Sequence, residues 1–454
     1  MAILNRSTTL SRVSRCFLAI LLLLVIPIAT AAQAPAGETQ GSKPLPDPLT
    51  LQFALTLDVQ DHPQLQRANA VIELKQADKT LAESYDDFTV DLELEGRRIE
   101  PNPIAYDQDD NDSQAHLFLR KPLYDFGRSG AAEDAALADL QGSELLYTDA
   151  VNKRQIAIMA RFFDVLLADL TYARDNEAMS IGYVQYDRGR ERNKLGQMSD
   201  VKLLELQNNF QLLRRAYYKS QAEQRNSRSR LANALNRPGE LVSNLVAPEL
   251  WIPLGDLPDV SELQQRAMEN NPQVQALKLQ VAAAGERVRE AKSGRYPMLK
   301  GEVQVSEYAR DAGSYDDWRA SIILDVPVWA SDSVKAQVVK RSAELRDTRA
   351  RLREVEMRVS QQVLEAWQEM QSLKVGREQV DVQQEYRELY LDRARTLYQT
   401  EFQSDLGDAM VEITKARLEK YRVEYSLALE WAKIQALTGQ EIKILQEQND
   451  ETAQ

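Results

Sequence analysis

The sequence contains one cysteine and two histidines among its 454 residues, and no glycine-rich phosphate-binding loop. Cys16 precedes an apolar run near the N-terminus, and His62 and His116 stand far apart. This scarcity argues against a structural disulfide, a zinc site and a histidine-dependent catalytic triad. We therefore expect a protein that is not an enzyme and that has no catalytic residue, no cofactor and no metal site.

The sequence also lacks an excess of positive charge and, beyond its N-terminal region, a long apolar run. The formal net charge is −13, so nucleic acid is not an expected partner. The later apolar runs are shorter than the roughly 20 residues that a membrane-spanning helix needs. Any segment that crosses a membrane would therefore have to be a β-strand.

The N-terminal region has the features of a secretory signal peptide. Arg6, Arg12 and Arg15 precede an apolar run over residues 17–28, which small residues follow. That run is too short for a membrane anchor. We predict a signal peptide over residues 1–34 and a flexible N-terminal segment over residues 35–47.

The rest of the chain shows the same order of elements twice. HPQLQ at residues 62–66 reappears as NPQVQ at residues 271–275, and PLY at residues 122–124 reappears as PVW at residues 327–329. Each copy is interpreted as a helix, two short strands, a very long helix, a turn and a return helix. We predict a first repeat over residues 48–236, an inter-repeat linker over 237–258, a second repeat over 259–439 and a C-terminal tail over 440–454.

The predicted helices have the apolar spacing of coiled coils, alternating between three and four residues. The first long helix, predicted over residues 128–194, carries two neighbouring apolar stripes. One contains Met159 and Phe163, and the other contains Ile158 and Phe162. Two contact faces favour a closed ring of helices over an isolated pair. The fold class that we predict is mainly α with a small β part.

Apolar and polar residues alternate in four short segments, the first of them at residues 89–98. Such strands are typical of transmembrane barrels with a water-filled lumen, and also of a water-exposed sheet that packs on a helix. Four strands cannot close a barrel, because bacterial barrels have at least eight, so several copies would have to share one. The residues alone do not choose between a dimer with eight strands and a trimer with twelve.

The chain resembles the TolC-like outer-membrane efflux channel family over nearly all of its predicted mature length. The resemblance rests on the duplication, on PLYDFGR at residues 122–128, on LGQMSD at residues 195–200 and on ALTG at residues 436–439. It implies a long coiled-coil helical barrel and a homotrimer whose four strands per subunit complete a twelve-stranded barrel. It also implies a cell outer-membrane location extending into the periplasm, contact with outer-membrane lipid, and a periplasmic adaptor protein with a proton-driven or ATP-driven inner-membrane pump.

The resemblance also implies site residues at the two helical tips. Contact with the adaptor would involve Leu195, Gly196, Ser199, Phe402, Gln403 and Ser404, and the periplasmic gate would involve Asp405, Asp408 and Tyr398. The second tip departs from the family pattern, since Glu401 stands where the family usually has glycine. Asp405 and Asp408 are also suited to capping the return helix, because acids stabilise helix N-termini.

The predicted function is an outer-membrane channel subunit of a tripartite efflux or type I secretion system, acting as a passive conduit across the periplasm and outer membrane. The alternative is a periplasmic adaptor (membrane fusion) protein, which is also a coiled-coil hairpin protein. An adaptor usually has one hairpin and a β-rich body, whereas this sequence predicts two tips and only four strands. The transported substrate is not evident from the sequence.

Overall fold

The computed structural model describes residues 44–57, 61–253, 255, 257–310, 316–328, 332–399 and 406–445. The predicted signal peptide, most of the flexible segment and most of the C-terminal tail lie outside these residues. The elements are, in chain order, α1 (Leu51–Thr56), α2 (Pro63–Glu83), β1 (Thr89–Glu95), β2 (Gln114–Tyr124), α3 (Arg128–Lys194), α4 (Asp200–Ala234), α5 (Val260–Asn270), α6 (Pro272–Ser293), β3 (Met298–Tyr308), β4 (Trp318–Asp325), α7 (Ser333–Gln399) and α8 (Leu406–Leu437). The fold class is therefore mainly α with a small β part, as the sequence predicts.

Two helices, α3 and α7, are each 67 residues long, which corresponds to about 100 Å at 1.5 Å per residue. The bounds of α3 are those predicted from the sequence. Its start is fixed by Asp125, whose carboxylate accepts hydrogen bonds from the backbone N–H groups of Gly127, Arg128 and Ser129 at 3.0, 3.1 and 2.6 Å. These bonds satisfy donors that lack a partner inside the helix.

The chain folds into two compact units. The sheet unit comprises Leu81–Gly130 and Glu290–Val334 among the described residues, and the helical unit comprises Leu45–Thr80, Ala131–Arg289 and the described part of Lys335–Gln454. The bounds predicted for the two sequence repeats, the linker and the tail stay predictions.

In the sheet unit, four antiparallel strands follow one another in the order β1-β2-β3-β4. Pairing places Val90 opposite Leu119, Leu119 opposite Val303 and Val303 opposite Ala320. Because side chains alternate between faces along a strand, this register gathers most of the apolar residues of all four strands on one face. The other face is mostly polar but includes Phe118 and Ile323.

In the helical unit, two large clusters of buried side chains hold the helices together, and a third, small one joins α7 to α8 at Leu391, Ala394 and Ala409. The first joins α1, α3, α4 and α8, and the second joins α5, α6, α7 and α8. Ile158, Met159, Phe162 and Phe163 all lie in the first cluster, so both apolar stripes of α3 are buried. The ring of Phe163 stacks on that of Tyr425 at 4.4 Å, and burial raises the pKa of the Tyr425 hydroxyl.

Within the described part of the chain, no helix combines the length and the apolar character that crossing a membrane requires.

Shortly after its last residue, helix α8 is terminated by a glycine in the left-handed backbone conformation, which residues with side chains rarely adopt. Gly439 has φ +71°, and the N–H of Gln440 donates to the carbonyl of Gln435 at 2.8 Å. This arrangement is the Schellman motif, which satisfies the last carbonyl groups of a helix. A Cβ atom at Gly439 would overlap the carbonyl oxygen of Asn270. The ALTG sequence therefore terminates α8 and allows Gly439 to pack closely against Asn270 at the end of α5.

We predict that Gly439→Ala destabilises the protein by roughly 2–4 kcal/mol, because it combines left-handed backbone strain with a backbone overlap. Thermal unfolding of the variant measures the change. Gly376→Ala is the matched control, because Gly376 lies inside α7 with no atom within 4 Å of an added Cβ. This control should stabilise the protein by up to about 1 kcal/mol. Equal melting temperatures for the two variants would contradict the prediction.

Candidate functional site

The first tip, between α3 and α4, is a tight turn held by its own side chains. Gly196 has φ +71°, which favours glycine at this position. The Asn193 amide nitrogen donates to the carbonyl of Met198 and to the carboxylate of Asp200, both at 2.9 Å. The Ser199 hydroxyl caps α4 by accepting from the N–H of Lys202 at 3.4 Å. The turn is thus formed locally.

The surface of this tip is exposed and bears both apolar and charged groups. Leu195 is 71% exposed at the end of the hairpin. Just before it, a hydrogen bond from Lys194 lowers the pKa of the Glu191 carboxyl. Leu195, Gly196 and Ser199 therefore lie together on one exposed turn, as expected for a surface that contacts a partner. Whether they contact an adaptor stays a prediction.

The second tip, between α7 and α8, is described only at its two sides. Phe402, Gln403, Ser404 and Asp405 lie outside the described residues. Tyr398 lies at the end of α7 and is 63% exposed, and Asp408 is an exposed residue in the first turn of α8. The position of Asp408 suits both predicted roles, since an acid in a first turn favours the helix N-terminus. The gate assignment stays a prediction.

Contacts in the helical unit place the four long helices in the order α7-α8-α3-α4. Ion pairs join α7 to α8, between Arg387 and Glu412 at 2.9 Å and between Lys420 and Asp381 at 3.1 Å. The Thr414 hydroxyl of α8 donates to Glu177 of α3 at 3.1 Å.

Two close contacts complete this order. Gly407 of α8 lies so close to Ile181 of α3 that an added Cβ would come within 3.0 Å. On the other side of α3, the ring of its Tyr186 stacks on the ring of Phe210 of α4, with 5.9 Å between the ring centroids. The two outer helices, α7 and α4, are therefore left with one side open.

Exposed apolar residues follow these open sides. On α7 they recur every seven residues at Val375, Val382 and Leu389, each about two-thirds exposed. On α4 the exposed apolar residues are Val201, Leu204, Leu212 and Tyr218, which are spaced less regularly. Apolar residues at heptad spacing are typical of a surface that packs against another helix. The described part of a single chain offers no such helix to either stripe.

The half-buried carboxyl of Glu424 lies between α7 and α8. Burial raises the pKa of Glu424, and Asp381 raises it further, although Lys420 and Arg377 act in the opposite direction. The neutral form of Glu424 is therefore favoured in the folded protein compared with an exposed glutamate.

In the sheet unit, the polar face carries a network of side chains that crosses the strands. Arg120 pairs with Glu302 at 2.8 Å and with Asp91 at 3.1 Å, and its guanidinium lies 4.1 Å above the ring of Phe118. Nearer the other end of β2, the ring of His116 contacts the Ser306 hydroxyl at 2.9 Å. This face is suited to contact with water and polar solutes.

The opposite face of the sheet is apolar and exposed. Leu92, Leu94, Val305, Ile322 and Leu324 are each at least 40% exposed in the single chain. At the end of β2, the ring of Phe126 lies 4.7 Å from that of Tyr124 and 5.6 Å from that of Tyr296. Aromatic groups at the edge of an apolar band are typical of strands that face lipid.

Sequence reasoning missed several residues that shape these surfaces. Gly182 and Gly189 are seven residues apart on α3 and are buried against Leu213 and Leu206 of α4. The heptad spacing of these glycines was the available signal for close helix packing. Asn193 gave no comparable signal, because its two acceptors become neighbours only once the turn has formed.

Comparison with known proteins finds one family profile and several solved structures that this chain resembles. Residues 263–440 match the sequence profile of the family described as Outer membrane efflux protein. No curated protein sequence matches the chain significantly. The fold resembles that of the outer membrane protein VceC from Vibrio cholerae, with a TM-score of 0.69 at 15% identity over 86% of this chain and 96% of VceC.

Two further solved structures are similar. The CmeC outer membrane channel of Campylobacter jejuni has a TM-score of 0.72 at 15% identity over 86% of this chain and 85% of CmeC. The MtrE outer membrane channel of Neisseria gonorrhoeae, solved in its open state, has a TM-score of 0.66 at 15% identity over 87% of this chain and 89% of MtrE. At these identities the structural similarity establishes the fold, and the profile match links it to the efflux family. The resemblance indicated by the sequence motifs is therefore confirmed.

The raised pKa of Glu424 predicts a pH-dependent effect of Glu424→Gln. Because the folded state favours the protonated carboxyl, stability is lost as the pH rises through the raised pKa, and glutamine removes this loss. The variant should unfold at a higher temperature than the parent at pH 8, and the two should converge near pH 4. Glu419→Gln, which removes an exposed carboxylate on the same helix, is the control. A stability gap for Glu424→Gln that does not change with pH would contradict this account.

Proposed function

We infer that this chain is an outer-membrane efflux protein of the TolC-like family, and we propose that three copies form one channel. The channel would be the outer-membrane component of a tripartite efflux or type I secretion system. It would act as a passive conduit that extends into the periplasm. Energy would come from an inner-membrane pump, because the chain supplies no chemical step of its own.

The four-stranded sheet is the observation that carries this proposal. One face is apolar and exposed, the other carries the polar network around Arg120, and among the described residues β1 and β4 each pair with one neighbour only. Open strand edges are not tolerated in lipid, where each unsatisfied backbone group costs several kcal/mol. Pairing β4 of one copy with β1 of the next would satisfy both edges. Three copies would give a barrel of twelve strands.

The helical unit supports the same arrangement independently. The order α7-α8-α3-α4 leaves apolar stripes on its two outer helices, so α4 of one copy can pack on α7 of the next. This contact joins two different surfaces of the same chain, and such a contact closes into a ring when the rotation between copies allows it. Each copy would then bury both of its stripes.

The tips are the proposed contact with the rest of the export system. Leu195, Gly196 and Ser199 on the first tip, with Phe402, Gln403 and Ser404 on the second, would meet a periplasmic adaptor. Asp405, Asp408 and Tyr398 would line the periplasmic gate. Three copies of each aspartate around a narrow axis would concentrate negative potential, which favours cations. Opening would require only a small rearrangement of the tip helices.

The contact between copies can be tested by cross-linking. Three contacts fix the positions of the long helices along their common axis: Gly182 with Leu213, Gly407 with Ile181, and Arg387 with Glu412. From these contacts, Tyr218 of α4 and Leu389 of α7 lie at similar positions along that axis. We predict that Tyr218→Cys with Leu389→Cys forms disulfides between copies under oxidation, giving dimer and trimer bands on a non-reducing gel.

A control pair shows whether the cross-link is specific. Tyr218→Cys with Met357→Cys should form no such bands, because Met357 is exposed on α7 but lies about 48 Å from Leu389 along the helix. Monomer bands from both pairs, or equal cross-linking by both, would contradict the proposed packing.

The gate assignment is tested by single-channel recording in a salt gradient. We predict that Asp405→Ala with Asp408→Ala shifts the reversal potential towards zero, because six carboxylates disappear from the trimer's entrance. The control is Asp347→Ala with Glu354→Ala, which removes the same charge from the distant part of α7. If both double variants keep the selectivity of the parent, the gate residues lie elsewhere.

A further inference from the structure

The apolar face of the sheet is interrupted by a groove of about 610 Å³ that runs across the strands. Its lining includes Phe88, Leu119, Lys121, Gly301, Val303 and Ile322. The volume lies within the range of roughly 300–1,000 Å³ that is typical of small-molecule sites. The groove lies entirely within the sheet unit.

The groove exists because two of the residues that point to this face are small. The register places Gly301 between Lys121 on β2 and Ile322 on β4, and it places Ala320 beside Val303 in the next row. The atoms nearest to a Cβ added at Gly301 would belong to the Leu123 side chain, at 3.4–3.6 Å, which is ordinary van der Waals contact. A bulkier residue at Gly301 would therefore narrow the groove by meeting side chains and not backbone.

Lys121 and Glu302 are the charged residues among those that line the groove, and Glu302 is paired with Arg120 on the other face. Lys121 is exposed, and within the described residues its ammonium group forms no ion pair and no hydrogen bond. The neighbouring cations point to the other face, where Arg120 pairs with Glu302 at 2.8 Å and Lys300 with Asp325 at 3.5 Å. A cation on a lipid-facing surface is costly unless its charge is paired.

We propose that this groove binds one acyl chain of an anionic phospholipid, whose headgroup phosphate pairs with Lys121. The proposal rests on the proposed function, which turns this face of the sheet towards lipid. Lys121 precedes Tyr124 of the aromatic cluster by three residues, about 10 Å along the strand. Its flexible stem can carry the ammonium towards the headgroup level that such aromatic residues mark. The apolar groove and the unpaired charge together match the two parts of a phospholipid.

The test is lipid retention by the detergent-solubilised, full-length complex, measured by native mass spectrometry. Dioleoylphosphatidylglycerol and dioleoylphosphatidylcholine are titrated separately, since both have the same acyl chains and only the first has a net charge. We expect one phosphatidylglycerol per chain, retained about fivefold more tightly than phosphatidylcholine, because one lysine near a headgroup contributes about that factor.

Two variants separate the parts of the site, each with a matched control. Lys121→Ala should abolish the preference for phosphatidylglycerol, whereas Lys300→Ala, which removes the neighbouring lysine on the opposite face, should keep it. Gly301→Val should weaken retention of both lipids, whereas Ala115→Val, which adds the same kind of bulk on this face outside the groove, should not. If Gly301→Val fails to assemble, the comparison of Lys121→Ala with Lys300→Ala still tests the proposal.

Three results would overturn the proposal. Equal retention of both lipids by the parent protein would show that the site does not recognise an anionic headgroup. Identical lipid retention by Lys121→Ala and Lys300→Ala would show that Lys121 does not bind the headgroup. A change in subunit number without a change in lipid retention would assign the groove to a contact between copies. An intact trimer without lipid preference rejects the lipid site alone, whereas a chain that stays dissolved without detergent rejects the channel as well.

Discussion

The open edges of the four-stranded sheet are the constraint from which the proposed assembly follows. In lipid, the backbone N–H and C=O groups along β1 and β4 have no water to bond with, and each unpaired group costs several kcal/mol. No side chain on this sheet can offset a whole row of such groups. The favourable solution is to join edges between identical chains until no edge is left. Oligomerisation is then a requirement of the fold in its membrane.

The long helices impose a related requirement in water. α3 buries two apolar stripes because it has long helices on both sides, whereas α7 and α4 each expose one stripe because each has a long-helix neighbour on one side only. Burial of apolar surface contributes roughly 25 cal/mol per Å², so a row of exposed valines and leucines favours packing against another copy. The same ring closure that pairs the strand edges would bury these stripes. Two independent surfaces thus favour one symmetric arrangement.

Much of this structure could be predicted from local patterns. The bounds of α3 were predicted correctly, and the structure shows that they are set locally, because Asp125 caps its start and Gly196 forms the turn after its end. The two faces of the sheet followed from alternation, which the register confirms. The first strand was predicted to extend to residue 98, but β1 ends at Glu95, opposite Gln114 at the start of β2. A strand end depends on its partner, which one segment alone does not specify.

Features that depend on contacts between distant segments could not be predicted in this way. The groove above Gly301 exists only because β2 and β4 place Lys121 and Ile322 on either side of it. The raised pKa of Glu424 depends on how α7 covers α8. The order α7-α8-α3-α4 depends on close contacts such as that of Gly407 with Ile181. Sequence spacing therefore predicted the elements, whereas side-chain packing between distant elements formed the sites.

The most direct test of the central claim is the mass of the protein complex after extraction from the outer membrane in detergent, measured by native mass spectrometry or by light scattering corrected for bound detergent. The account predicts a complex of three chains that is extracted only by detergent. A stable monomer that remains in solution without detergent would show that the sheet tolerates its open edges, and it would contradict the shared barrel.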